Sequence, residues 1–77
     1  MKIKFKMPEV GDHILLKSKI FPPIEATIVS LGDDEFCAIV TKTGEGINVK
    51  NELICCSSVP ELLAELQQYY FIYLMED

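Results

Sequence analysis

Between Glu9 and Ile54 the chain alternates short apolar runs with Gly, Asp and Pro. The runs are His13–Leu16, Ala26–Val29, Phe36–Val40, Ile47–Val49 and Leu53–Cys55. Short strands at regular spacing with turn signals between them predict a small all-β barrel or sandwich. Ile14, Leu16, Ala26, Ile28, Ile39, Ile47, Val49 and Leu53 are its expected core.

Upstream, Ile3, Phe5 and Met7 alternate with Lys2, Lys4 and Lys6, the period of a half-buried strand that Pro8 ends. Val10-Gly11-Asp12 reads as a turn into the next strand. Gly32-Asp33-Asp34 joins Glu25–Leu31 to Glu35–Thr41 as a hairpin, and Thr43-Gly44-Glu45-Gly46 makes a further turn. Asn51-Glu52 is expected to be another. The loop Ser18–Pro23 carries Ile20 and Phe21, which either tuck into the core or form part of a binding face.

At Ser58 the period changes. Ser58-Val59-Pro60-Glu61 has the S-x-x-E spacing of a capping box, with Ser58 at the N-cap. Leu62, Leu63, Leu66, Tyr69, Tyr70 and Tyr73 then recur at helical spacing. The favoured reading is one helix over 58–75. Tyr69–Met75 is apolar all round, however, and a single barrel covers only one side of a helix. The run is also rich in β-formers, so the alternative is a strand after a shorter helix. As a helix, it presents Tyr69, Phe71, Ile72, Leu74 and Met75 as the candidate interface of a homodimer.

A length of 77 residues allows one domain, 1–77, divided into a β part (1–56) and the helix (58–75). Such a chain buries only about 60% of its unfolded surface, so the 49% of hydrophobic residues must be covered internally or by a second copy. The net charge of −5 is unevenly spread: five of the seven lysines lie in the first 19 residues, while ten of the twelve acids follow them. Arginine is absent, which argues against conventional base or phosphate recognition. Asp33, Asp34, Glu35, Glu45 and Glu52 form a candidate acidic partner face.

Cys37, Cys55 and Cys56 are odd in number and suit free thiols in a reducing cytoplasm. Adjacent cysteines in a strand point to opposite faces, placing one in the core and the other outside. The basic N-terminus lacks the apolar core of a signal peptide, and no apolar run approaches the roughly 18 residues that span a bilayer.

Chemistry-bearing patterns are few. The single histidine, His13, and the adjacent cysteine pair lack the spacing of a metal site. Thr43–Gly46 lacks the G-K-[ST] ending of a phosphate loop. No catalytic set, metal or cofactor is expected.

Val10-Gly11-Asp12 followed by Leu16-Lys17-Ser18 resembles the V-G-D-x-V-x-L-K-S opening of small uncharacterised bacterial and phage SH3-like domains. The likeness covers residues 9–55. Ala26–Val29 falls where those domains place the second strand, and Asn51-Glu52-Leu53-Ile54 where they close the barrel. The loop after Ser18 departs from their usual Gly-Gly-Pro, and neither the lysine strand nor the C-terminal helix belongs to the pattern. The resemblance implies a small SH3-like β-barrel, here mainly β with one C-terminal α-helix, and a binding role. The leading expectation is a non-enzymatic protein-interaction module, in one form a small acidic phage or mobile-element inhibitor of a host enzyme. The alternative is a nucleic-acid or ribonucleoprotein accessory domain using Lys2, Lys4, Lys6, Lys17 and Lys19. A protein partner and a homodimer are expected, and neither a nucleic-acid nor a membrane partner is.

Overall fold

Asp12 sets the first strand. Its carboxylate accepts the Glu9 N–H at 2.8 Å, and Gly11, at φ +93°, turns its N–H onto the Ile28 carbonyl at 2.8 Å. A side chain is strained at that φ, which is why glycine stands there. In the computed structural model residues 8–75 are described. The expected strand Lys2–Met7 lies outside them.

The described elements are β1 (His13–Lys17), β2 (Ile24–Gly32), β3 (Glu35–Val40), β4 (Asn48–Val49), β5 (Glu52–Leu53), β6 (Cys55–Cys56), α1 (Val59–Gln67) and β7 (Phe71–Leu74). The protein is thus mainly β with one helix. Five strands form an antiparallel sheet in the order β6-β3-β2-β1-β7, and β4 pairs with β5 in a separate ladder. Among the described residues the five-stranded sheet is open, with β6 and β7 as its two edges.

The β2–β3 hairpin turns at Asp33-Asp34, with a bulge between Ser30 and Gly32. The β4–β5 turn sits one residue earlier than its sequence suggests. Lys50 and Asn51 both take positive φ, 53° and 66°, the conformation of a type I′ hairpin turn.

α1 lies against one face of the sheet. Ile14, Leu16, Ala26, Ile28, Ala38 and Ile47 meet Leu62, Leu63 and Leu66 in one buried cluster. Three expected core residues stand elsewhere: Ile39 and Val49 are half-buried and Leu53 is exposed. β3 is apolar on both faces, so its alternation carried no phase. The register of Ala38 with Ile28 puts Ala38 on the helix side and Ile39 opposite. Val49 and Leu53 belong to the small ladder.

Ser58 caps the helix as its spacing predicts, but the reciprocal half of the capping box is replaced by a bond to the neighbouring Ser57. Ser58 Oγ accepts the Glu61 N–H at 3.3 Å, while Glu61 Oε2 accepts the Ser57 hydroxyl at 2.8 Å.

The long helix over 58–75 is corrected by the structure. α1 stops at Gln67, and Phe71–Leu74 is a strand in register with β1, Leu16 opposite Ile72. A helix through 75 leaves half of its apolar surface uncovered. As a strand, the same residues divide cleanly, with Ile72 and Leu74 packed on the core and Phe71 and Tyr73 outside. β1 also gains a second hydrogen-bonded neighbour. Tertiary pairing therefore ends the helix where no Gly, Pro, Asn or Asp does. Among the described residues no helix is long and apolar enough to cross a membrane.

Candidate functional site

Three chain segments distant in sequence meet beside the sheet. The first is the loop after β1. Ser18 Oγ accepts the N–H groups of Ile20 (3.3 Å) and Phe21 (3.0 Å), fixing the bend before Pro22. That bend turns both apolar side chains outward, with Ile20 82% and Phe21 60% exposed. Of the two placements open to these residues, the structure shows the outward one.

The second segment is the β4–β5 hairpin, and the third is Tyr69-Tyr70 at the end of α1. Tyr70 N–H donates to the Leu66 carbonyl at 2.9 Å, and Tyr69 N–H to the same oxygen at 3.0 Å. Both tyrosines are thereby held at the helix exit.

Val49, Lys50 and Tyr69 form a ridge between two open hollows. On one side Ser18, Ile20, Phe21, Asn48 and Tyr70 complete an apolar groove of about 290 Å³. On the other, Glu52, Leu53, Ile54, Cys55, Cys56 and Glu65 complete a more polar hollow of about 320 Å³. Tyr70 also walls a shallow depression with Gln67, Phe71, Ile72 and Tyr73.

The candidate interface residues do not share one face. Ile72 and Leu74 are half-buried, with their side chains packed on the core side. Tyr69, Phe71 and Met75 are exposed, as is Tyr73. Lys17 lies over the Tyr73 ring, Nζ at 5.1 Å from its centre.

The five acids are all exposed but are not gathered. Asp33, Asp34 and Glu35 stand at the β2–β3 turn, at one end of β3, and Glu45 lies beyond its other end. A six-residue strand separates them by roughly 17 Å. Glu52 instead shares the polar hollow with Glu65, a residue the sequence did not single out. Of the lysine face, Lys17 and Lys19 are exposed, while Lys2, Lys4 and Lys6 lie outside the described residues.

The three thiols fall on two sides of the sheet. Cys56 packs on the core beneath α1, and Cys55 is exposed. Burial, chiefly, pushes all three thiols above their ordinary range. The Cys55 charge adds to this at Cys37, the Glu35 carboxylate at Cys55, and Glu65 and Glu61 at Cys56. A thiol held protonated is a poor nucleophile.

His13 Nδ1 is 3.0 Å from Thr27 Oγ1, which in turn is 2.8 Å from Thr41 Oγ1, a polar row across three strands. His13 pairs with Thr27, and Thr27 with Ile39 on β3, so Cys37, two strand spacings across and two residues further along, lies about 12 Å away. Imidazole and thiol are thus beyond proton-transfer reach. Among the described residues no three His, Cys, Asp or Glu converge on a point that would hold a metal ion.

The chain matches no family model, no curated protein and no solved structure.

Proposed function

We propose that the protein is a non-enzymatic protein-interaction module whose binding face is the Val49–Lys50–Tyr69 ridge with its two hollows. The observation that carries this reading is the outward placement of Ile20 and Phe21 beside an apolar groove. Contiguous exposed apolar surface on a small protein marks an interaction site. The neighbouring hollow holds the carboxylates of Glu52 and Glu65. The partner of matching chemistry presents an aromatic or aliphatic anchor flanked by a basic side chain. An acidic inhibitor of a host enzyme is one such role, an SH3-like lineage for the sheet one origin, and the cytoplasm the place.

Selection from a displayed random peptide library tests this. Enriched peptides should pair an apolar anchor with a nearby Lys or Arg, and Phe21→Asp should weaken them at least tenfold. No enrichment, or binding indifferent to Phe21→Asp, overturns it.

We propose further that two copies associate through β7. Met75 N–H donates to the His13 carbonyl at 3.0 Å, and such pairs recur at every second residue. Phe71 and Tyr73 therefore bond to β1, and Ile72 and Leu74 turn their N–H and C=O groups to the open edge. An antiparallel meeting about a two-fold axis at Tyr73 joins Ile72 to Leu74 of the second copy. The same register sets Tyr73 against Tyr73 and Phe71 against Met75. No charge or proline within β7 blocks such pairing. The exposed parts of Phe71, Tyr73 and Met75 supply on the order of 300 Å² per copy, short of the roughly 800 Å² of a stable dimer. A weak dimer is expected, dissociating in the micromolar range and lost on Tyr73→Lys. Sedimentation as an 8.7 kDa monomer at high micromolar concentration removes it.

A further inference from the structure

Cys37 and Cys55 stand directly opposite each other on β3 and β6. The hydrogen-bond phase of β3 fixes what kind of pair they are. Thr41 N–H donates to the Glu25 carbonyl at 3.0 Å, so alternate residues Ile39 and Cys37 face β2 with their backbone groups. Ala38 and Val40 turn theirs the other way, Ala38 accepting from Ile47 N–H at 2.9 Å and Val40 donating to the Glu45 carbonyl at 2.7 Å. By the same alternation Phe36 is hydrogen-bonded with Cys56, and Cys37↔Cys55 is a non-hydrogen-bonded pair.

Such pairs hold their Cα atoms about 4.5 Å apart with side chains at closest approach. That separation falls inside the roughly 4.4–6.8 Å window that a disulfide tolerates. The two side chains stand on the same face of the sheet as direct neighbours across the strand pair. Cys56 packs on the opposite face of the sheet, toward α1.

We infer that Cys37 and Cys55 form a covalent-modification site, joined into an intramolecular disulfide by a low-molecular-weight disulfide such as oxidised glutathione. Cys55 is exposed and makes the first attack through its minor thiolate fraction, so the exchange is slow, whereas Cys37, 2% exposed, is reached only from Cys55. The Cys55 thiol gives up its proton and its sulfur bonds to one glutathione sulfur. The glutathione S–S bond breaks, and the released thiolate takes a proton. Cys37 then loses its proton and attacks Cys55 Sγ, expelling the second glutathione as a thiol. Two protein thiols are oxidised by two electrons, and one glutathione disulfide is reduced to two thiols. The bond ties the two-residue edge strand β6 to β3 and closes the loop that carries the β4–β5 ridge.

The test uses the full chain with Cys56→Ser, incubated with millimolar oxidised glutathione and mapped by non-reducing peptide mass spectrometry. The expected product has lost two hydrogens and links the Cys37 and Cys55 peptides. Its melting temperature should rise by about 5 °C or more, since cross-linking a loop of this size restricts the unfolded chain. The unmodified sequence should give the same link, with Cys56 free. A stable glutathione adduct on Cys55, a Cys55–Cys56 link in the unmodified sequence, or two free thiols after equilibration overturns the inference.

Discussion

The helix side of the sheet and its rim use the same kinds of residue to opposite ends. Beneath α1, Ile14, Leu16, Ile28, Leu62 and Leu66 are wholly buried. At the rim, Ile20, Phe21, Leu53, Tyr69, Phe71 and Tyr73 remain exposed. The first group lies on continuous secondary structure with every side chain meeting another element. The second lies on a proline loop, a hairpin tip and an edge strand, none of which has a further layer over it among the described residues. Hydrophobicity alone therefore does not decide which residues are buried in this chain; the presence of a facing element does.

Substitutions on the two sides should differ most. Leu66→Ala should cost about 2–5 kcal/mol, enough to unfold much of a domain this small, whereas Phe21→Ala should stay within about 0.5 kcal/mol. Urea titration of both variants reads this directly. Equal losses would erase the distinction.

Ser58→Ala tests the helix that covers the core and should cost about 0.5–2 kcal/mol. Unchanged amide exchange at Glu61 would mean that the helix does not depend on its cap.

The thiols sharpen the contrast through pH. Folded Cys37, Cys55 and Cys56 keep their protons to higher pH than unfolded thiols, whose ordinary value is 9.0. Between the two values the folded state binds more protons, so stability falls as pH rises. The contribution is intact below about pH 8 and lost progressively above 9. Cys37→Ala should flatten this decline relative to the unmodified protein. An unchanged slope in denaturation series across that range would contradict it.

The smallest effect is expected at the ridge. Lys50 holds φ +53° without being Gly or Asn, a conformation that disfavours most side chains. Lys50→Gly should stabilise by about 0.5–1 kcal/mol by relieving it. A loss instead would show that the lysine side chain contributes contacts that outweigh the strain.

Legibility followed sequence distance. The Val10–Asp12 turn, the β2–β3 hairpin and the Ser58 cap depend on residues within four positions of one another, and each stands where its spacing puts it. The cysteine pair likewise divided between faces as strand alternation requires. β7 was hidden because its state depends on β1, and its local signals, β-formers at helical spacing, conflicted. The site was hidden more deeply. Ile20 and Phe21 were visible as oddities, but the groove needs Val49, Lys50, Tyr69 and Tyr70 beside them, and no local pattern joins those segments.

The pairing of Leu16 with Ile72 also has a kinetic side. β1, β2 and β3 are joined by short connections and pair early, each loop being cheap to close. β1 keeps an unpaired edge, and Ile14 and Leu16 an uncovered face, until α1 and β7 arrive from far along the chain. During synthesis that edge waits for the ribosome to deliver its neighbour. This late closure is the expected slow step of folding, and the interval before it the one in which the nascent chain is most open to pairing with the wrong strand.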